Sequence, residues 1–216
     1  MQFVVLSSSR GTTFQAVLDR IADGSLTASC LGLVSDRADR GCVEKAKAAK
    51  LTVTVVERRE GESRDEYDKR VHDAIIALKP SPGASRHPLP LRQEREQGGS
   101  LFIAALGWMS IFTPWFITQW HNKIINVHPA LLPKFGGAGM YGDKVHQAVL
   151  DAKEKQSGIT IHLMDEGVDT GKILLQKTCS VNSEDTVESL KARVQNLEKE
   201  WYPKVLEMVN KREIKL

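Results

Sequence analysis

The sequence has few cysteines and no long apolar run, and both shortages limit what the protein can be. Its three cysteines, Cys30, Cys42 and Cys179, form no C-x-x-C pair. A disulfide framework and a structural zinc site are therefore not expected, and the three thiols are predicted to be free. No apolar stretch reaches the length of a membrane-spanning helix, and the N-terminus lacks the pattern of a signal peptide. We expect a cytoplasmic protein that does not enter a membrane.

An excess of one charge sign is also missing. The chain carries 30 Lys and Arg against 27 Asp and Glu, which gives a net charge of +3. That balance is too mixed for a nucleic-acid surface, although it suits a small anionic ligand. Hydrophobic residues make up 41% of the 216 positions, which is enough for one core. We therefore expect one domain over residues 1–216.

Apolar segments of strand length alternate with amphipathic segments of helical length along most of the chain. Strands are predicted at residues 3–7, 30–35, 51–57, 101–106, 123–128, 158–164 and 172–181. Helices are predicted at residues 13–24, 42–50, 63–79, 114–120 and 184–211. This alternation predicts an α/β fold with a mostly parallel sheet and helices on both faces. Residues 80–100, rich in Pro, Gly, Ser and charge, break it, and we interpret them as a flexible surface insertion.

The turn after the first predicted strand, "SSSRGTTFQ", is a candidate anion site. It places Gly11, Thr12 and Thr13 where the first helix begins, and the free N–H groups of a helix N-terminus attract phosphate. Thr12 and Gln15 have the spacing of a capping box, which would fix the start of that helix. The turn carries neither a dinucleotide nor a nucleoside-triphosphate signature. An ordinary turn that binds nothing is the alternative.

The segment "IINVHP" carries two polar side chains at the end of a predicted strand. Asn126 and His128 are two positions apart, so their side chains leave the strand on the same face. Pro129 then ends the strand, because it has no N–H for the ladder. The amide can donate to a developing oxyanion, and the imidazole can carry a proton near neutral pH. The alternative is a strand end with two hydrogen-bonded polar residues.

Two loops complete the candidate site. The acidic loop "DEGVDTG" contains Asp169, and a carboxylate near His128 would favour the charged imidazole. Its spacing lacks a calcium-loop pattern, so no metal is expected. His162, on the strand before it, is interpreted as a structural histidine. The glycine-rich residues 136–146 are either a loop that orders over a bound ligand or an ordinary connection.

The segments "NVHPALLP" and "DEGVDTG" together resemble the folate-dependent formyltransferase family. "SRGTTFQAVLD", "SRDEYDKR" and "RVQNLEKEWYP" extend the resemblance over nearly the whole chain outside residues 80–100. It implies a single Rossmann-like formyltransferase domain that transfers a formyl group from the cosubstrate 10-formyltetrahydrofolate to the amine of glycinamide ribonucleotide. These two small molecules are the implied partners, with no metal, nucleic acid or membrane, and the chain is expected to be a monomer or homodimer.

The same resemblance assigns roles to individual residues. The implied catalytic residues are Asn126, His128 and Asp169. The implied contacts to the amine substrate are Gly11, Thr12, Thr13, Gln195 and Glu198. The implied contacts to the folate are Arg64, Leu106, Gly107, Trp108, Met109, Asp165, Glu166 and Val168.

Other functions remain open on the sequence alone. A formyltransferase acting on methionyl-tRNA or on a sugar nucleotide would share the motifs, but a tRNA enzyme is expected to need a basic RNA surface and a further C-terminal domain. A formyltetrahydrofolate hydrolase is expected to carry an additional N-terminal domain. A binding module without catalysis is the third alternative, and the combination of Asn126, His128 and Asp169 speaks against it.

Overall fold

The computed structural model describes residues 1–79 and 100–216, and the expected insertion at 80–100 lies, except for Ser100, outside the described residues. The strands are β1 Gln2–Ser7, β2 Ser29–Ser35, β3 Thr52–Val55, β4 Leu101–Ala105, β5 Ile124–His128, β6 Gln156–Leu163 and β7 Ile173–Ser180. The helices are α1 Thr12–Ala22, α2 Gly41–Ala48, α3 Arg64–Ala77, α4 Pro114–Gln119, α5 Asp143–Asp151 and α6 Val187–Asn210. No helix within the described ranges has both the length and the apolar character needed to cross a membrane.

The strands form one sheet in the order β3-β2-β1-β4-β5-β6-β7. All pairs from β3 to β5 are parallel, whereas β5–β6 and β6–β7 are antiparallel. The predicted α/β fold with a mostly parallel sheet is confirmed. The chain builds β1 to β3 in one direction and then returns to place β4 on the other side of β1. Open α/β sheets bind ligands at such a reversal, beside the carboxyl ends of the strands.

Helices cover both faces of the sheet because each presents an apolar stripe to it. On one face α1, α2, α5 and α6 pack around buried residues that include Phe14 and Tyr202. On the other face α3 and α4 pack around Tyr67 and Phe116. The fully buried Tyr202 hydroxyl donates to the Ile125 carbonyl at 2.7 Å, which ties α6 to the strand that carries Asn126. The three cysteines are free thiols, as predicted.

The helix starts show one wrong prediction. Helix α3 begins with a capping box between Ser63 and Glu66, but the capping box predicted between Thr12 and Gln15 is absent. Gly11 precedes α1 instead, with a left-handed φ of 74°, and no side chain caps that helix. Thr12 is already the first helical residue, so its hydroxyl is not placed to cap the turn. The backbone N–H groups at the N-terminus of α1 are therefore available to a hydrogen-bond acceptor other than a capping side chain.

Candidate active site

A cavity of about 420 Å³ opens where the chain reverses between β1 and β4. Ser8 N–H donates to the Gly107 carbonyl at 3.2 Å and joins the two turns at its edge. Most of the residues singled out from the sequence line this cavity, namely Thr12, Thr13, Leu106, Gly107, Trp108, Met109, Asn126, His128, Asp165, Glu166, Val168, Asp169, Gln195 and Glu198. Two of the residues singled out, Gly11 and Arg64, do not line the cavity. Gly11 packs against Cys42, and Arg64 is an exposed residue at the start of α3.

The centre of the cavity joins an amide, an imidazole and a carboxylate. The His128 ring is 4% exposed, and its Nδ1 lies 3.3 Å from Asp169 Oδ2. Asp169 Oδ2 also accepts the backbone N–H of Gly137 at 3.1 Å. Asn126 precedes His128 by two positions on β5, on the same face. The three residues with an implied catalytic role are thus neighbours, although Asp169 is far from the other two in sequence.

Asp169 reaches His128 through a loop that turns back over the sheet. Because β6 is antiparallel to β5, with His128 opposite Thr160, β6 ends beside Ile125 rather than at the carboxyl end of β5. Asp165 shapes the returning loop, since its Oδ1 accepts the N–H of Gly167 at 3.1 Å and the hydroxyl of Thr170 at 2.7 Å. Asp169 itself has a left-handed φ of 60°. A short apolar run such as that of β6 is compatible with either strand direction, so the sequence did not reveal this reversal.

His162 is structural, as interpreted from the sequence, but it also belongs to the site. Its Nδ1–H donates to the Leu163 carbonyl at 2.9 Å, so Nε2 is the nitrogen that faces the site. Asn126 Nδ2 lies 3.1 Å from that Nε2 and donates to it. Asp169 Oδ1 is 3.6 Å from the same nitrogen. His162 therefore fixes the orientation of the Asn126 amide. The sequence carries no signal for this role, because it depends on the pairing of Asn126 with His162 across the sheet.

Both ring nitrogens of His128 face acceptors. Nε2–H donates to the Phe135 carbonyl at 2.7 Å, and Nδ1 faces Asp169. Burial nevertheless lowers the pKa of His128, and the Asp169 carboxylate and the Phe135 carbonyl offset only part of that effect. The expectation that Asp169 favours the charged imidazole is right in direction, but burial outweighs it. With a pKa below its ordinary value the ring is mostly neutral near pH 7, and a neutral ring can donate to only one of its two facing acceptors at a time.

The carboxylate of Asp169 stays ionised in this environment. Burial alone would raise its pKa, but His162, the His128 ring and the Gly137 N–H together outweigh burial and leave the pKa below its ordinary value. An ionised carboxylate beside a neutral imidazole stabilises the imidazolium that forms when the ring takes up a proton. The pair can therefore store and release a proton inside the cavity.

A second carboxyl group lies where α1 meets α6. Thr13 Oγ1 donates to Glu198 Oε2 at 2.8 Å. Burial, opposed in part by this hydrogen bond, raises the pKa of Glu198 to about 7. The group can thus either accept or donate a hydrogen bond at neutral pH, which suits contact with hydroxyl groups. Gln195 lies on the same face of α6, three residues earlier.

Gly11→Ala should destabilise the turn before α1. An alanine Cβ would lie 2.9 Å from Cys42 Cα, and the left-handed φ of 74° is itself unfavourable for alanine. Gly24 is a matched control because its φ is 78° and a Cβ there would meet nothing within 4 Å. Both variants should lose about 1–2 kcal/mol of unfolding free energy from the backbone conformation, and Gly11→Ala should lose more in urea denaturation. Equal losses would contradict the contact with Cys42.

The loop before α5 has a G-x-G-x-x-G spacing at residues 137–142. It follows a loop rather than a strand, so it is not the dinucleotide-binding signature. Gly137, Gly139 and Gly142 all have positive φ angles and line the cavity. Within residues 1–79 and 100–216, no three His, Cys, Asp or Glu side chains are grouped as ligands of a metal ion would be.

These features together define a class of protein. An open α/β sheet holds, at its point of reversal, a small-molecule cavity with an oriented amide donor and an imidazole–carboxylate pair. That combination is typical of enzymes that move an acyl-type group by oxyanion stabilisation and proton transfer.

Comparison with known proteins gives the particular family. The sequence model described as formyl transferase matches residues 1–82 and 88–206, and the chain belongs to this family. The resemblance inferred from the motifs is therefore confirmed. The chain is 29% identical over 208 residues to phosphoribosylglycinamide formyltransferase of Bacillus subtilis (strain 168), with 96% of this chain and 94% of that protein covered.

Two further proteins with the same enzyme name or its synonym are similar to this chain. The chain is 32% identical over 214 residues to the chloroplastic phosphoribosylglycinamide formyltransferase of Arabidopsis thaliana, covering 99% of this chain and 67% of that protein. The crystal structure of glycinamide ribonucleotide transformylase 1 from Symbiobacterium toebii superposes with a TM-score of 0.83 at 27% identity, covering 100% of this chain and 90% of the other. The similarity in fold thus extends over the whole length of this chain.

Proposed function

We propose that the protein transfers the formyl group of 10-formyltetrahydrofolate to the primary amine of glycinamide ribonucleotide, a step of purine biosynthesis. The observation that carries the proposal is the meeting of Asn126, His128 and Asp169 in one cavity that also reaches the N-terminus of α1. Membership of the formyl transferase family supports the reaction class. The similarity to two proteins named phosphoribosylglycinamide formyltransferase supports glycinamide ribonucleotide as the amine substrate.

The chemistry follows from the residues at the centre. Attack of a neutral amine on the formyl carbon gives a tetrahedral species with a negative oxygen and a positive nitrogen. The Asn126 amide, oriented by His162, is the proposed donor to that oxygen. His128, supported by Asp169, moves the proton from the attacking nitrogen to the leaving N10. The Phe135 carbonyl must release Nε2 before His128 can use that nitrogen. No covalent enzyme intermediate is required.

The two ends of the cavity suit the two proposed substrates. The wall from Leu106 to Phe112 includes Trp108, and Met109 and Ile111 are 52% and 46% exposed beside it. Such an apolar wall fits the flat pteridine of the folate, and the backbone of the loop 165–169 offers it hydrogen bonds. Arg64 lies outside the cavity and is left out of the proposed folate contacts.

The opposite end suits the ribonucleotide. Thr12, Thr13, Gln195 and Glu198 meet there, at a helix N-terminus that carries no side-chain cap. Free N–H groups at this place favour a phosphate, and the polar side chains suit the ribose and the glycinamide. Gly11 contributes by shaping the turn, since its own N–H is already donated to Ser9 Oγ at 3.1 Å.

A product assay tests the proposal. The purified protein is incubated with 10-formyltetrahydrofolate and, in separate reactions, with glycinamide ribonucleotide, an amino sugar nucleotide, methionyl-tRNA or no acceptor. We expect formylated glycinamide ribonucleotide and tetrahydrofolate in equal amounts, and a reaction without the protein serves as the control for uncatalysed transfer. Transfer only to another acceptor, formate release without an acceptor, or binding of both substrates without turnover would each overturn the proposal.

A further inference from the structure

The cavity contains a charge imbalance that the proposed contacts leave unexplained. Four of its lining residues are acidic, namely Asp165, Glu166, Asp169 and Glu198. Lys191 is the one lysine or arginine among the described residues that line it. A phosphate carries close to two negative charges near neutral pH, and its transfer from water into a site with acidic neighbours is unfavourable without a nearby cation.

Lys191 is held at the edge of the cavity by an exchangeable partner. Its Nζ donates to Asp143 Oδ1 at 2.5 Å, and this ion pair joins the second turn of α6 to the first residue of α5. The Asp143 side chain is 66% exposed. Exposed ion pairs of this kind contribute little to stability. A ligand anion in the cavity can therefore replace the Asp143 carboxylate without disturbing the fold.

His146 provides an independent indication of a ligand at the same place. It lies one turn after Asp143 on α5, is 3% exposed and lines the cavity. Its Nδ1 is buried and has no hydrogen-bond partner among the described residues. Burial and the Lys191 ammonium lower the pKa of His146 to about 4, so the ring is neutral. A buried polar atom without a partner is unfavourable, and a ligand that contacts this ring would supply the missing hydrogen bond.

The position of Lys191 on α6 connects it to the proposed amine-substrate contacts. Lys191, Gln195 and Glu198 are spaced i, i+4 and i+7, so they form one row on the helix face. The Glu198 end of this row meets the start of α1 through its hydrogen bond with Thr13, and Lys191 lies at the other end of the row, beside the start of α5. All three side chains line the same cavity.

We propose that Lys191 binds the phosphate group of the amine substrate, leaving Asp143 to do so, and that His146 adds a hydrogen bond to the same part of the substrate. This inference rests on the proposed function, which supplies a phosphorylated amine. It assigns the charged contact to a residue outside the turn of residues 11–13. It also gives a function to Lys191, which lies in a cavity lined by several acidic residues.

Kinetics with Lys191→Gln test the inference in the full-length protein. Loss of a charge-assisted hydrogen bond should raise the KM for glycinamide ribonucleotide about 10-fold or more, and leave the KM for the formyl folate unchanged. Lys191→Arg should restore most of the affinity, and Asp143→Asn should lower that KM because the competing carboxylate is gone. Lys204→Gln is the matched control, since Lys204 pairs with Glu200 on the same helix and does not line the cavity.

The phosphate itself is tested with a substrate that lacks it. For glycinamide riboside, wild type and Lys191→Gln should have the same KM. If Lys191→Gln instead weakens both acceptors equally, Lys191 acts on another part of the substrate and the inference is wrong. An unchanged KM for glycinamide ribonucleotide in Lys191→Gln would overturn it as well.

Binding of inorganic phosphate separates this inference from the proposed function. Calorimetric titration of wild type should show binding that Lys191→Gln weakens about 10-fold or more, and the NMR signal of the His146 ring should shift only in wild type. This comparison needs no turnover, so it decides the role of Lys191 even if the product assay fails. Equal phosphate affinity in the two proteins, or no shift of the His146 signal, would contradict the site.

Discussion

Replacing Asn126 by alanine is expected to lower the kcat of formyl transfer by about two to three orders of magnitude, the usual effect of removing one oxyanion donor. The amide is useful because it is oriented before substrate arrives, by its hydrogen bond to His162 Nε2 at 3.1 Å. Its contact to the oxygen strengthens only as negative charge develops there. The loss should therefore fall on kcat, measured in steady-state kinetics with both substrates saturating, while the two KM values change much less.

Two variants support the interpretation of that result. Asn196→Ala removes an exposed amide of α6 outside the cavity and should leave kcat unchanged. His162→Phe removes the acceptor that orients Asn126, so it should also lower kcat, and the double variant should be no slower than Asn126→Ala alone. A kcat for Asn126→Ala within a few-fold of wild type would rule out the amide as an oxyanion donor.

Asp169→Asn is expected to lower kcat by about 100-fold or more, in the range of lost acid–base catalysis. The carboxylate is what opposes the effect of burial on the pKa of His128. Without it the pKa of His128 falls further, so the ring is protonated only at lower pH. The fall in activity on the acid side of the pH–rate profile, where His128 is already protonated before reaction, should therefore move to lower pH. Asparagine tolerates the left-handed backbone of Asp169, so the fold should persist.

Asp151→Asn is the control for that experiment. Asp151 ends α5 and does not line the cavity, and its contact to the Gln147 amide at 2.7 Å needs only an acceptor oxygen, which asparagine keeps. The control should stay within a few-fold of wild type, with an unshifted pH profile. If Asp169→Asn behaves like the control, or if its profile moves to higher pH, the proposed coupling between Asp169 and His128 is wrong.

The sequence predicted the parts of the fold that depend on local pattern. Segments such as residues 3–7 and 30–35 are short and apolar, and they became central parallel strands, β1 and β2. The placement of Asn126 and His128 on one face at the end of β5 also followed from the period of a strand and the proline after it. The family was found from motifs that are specific only in combination.

What the sequence did not predict depends on contacts between distant segments. The antiparallel direction of β6, the role of His162 and the hydrogen bond from His128 to the Phe135 carbonyl all arise from strand pairing and loop folding. The start of α1 was mispredicted because the capping pattern of Thr12 could not show that Gly11 is pressed against Cys42. The direction in which the pKa of His128 shifts could not be predicted either, because it depends on how deeply the ring is buried.

The centre of the cavity and its amine-substrate end are built from different kinds of structure. Asn126 and His162 are locked opposite each other by the ladder between β5 and β6, whereas Thr13, Lys191 and Glu198 project from helix surfaces, where a side chain can change without altering any backbone hydrogen bond. Acceptor preference can therefore drift during evolution, by substitutions on α1 and α6, while the formyl-transfer machinery stays in register. One ancestral scaffold could in this way come to serve several different amines.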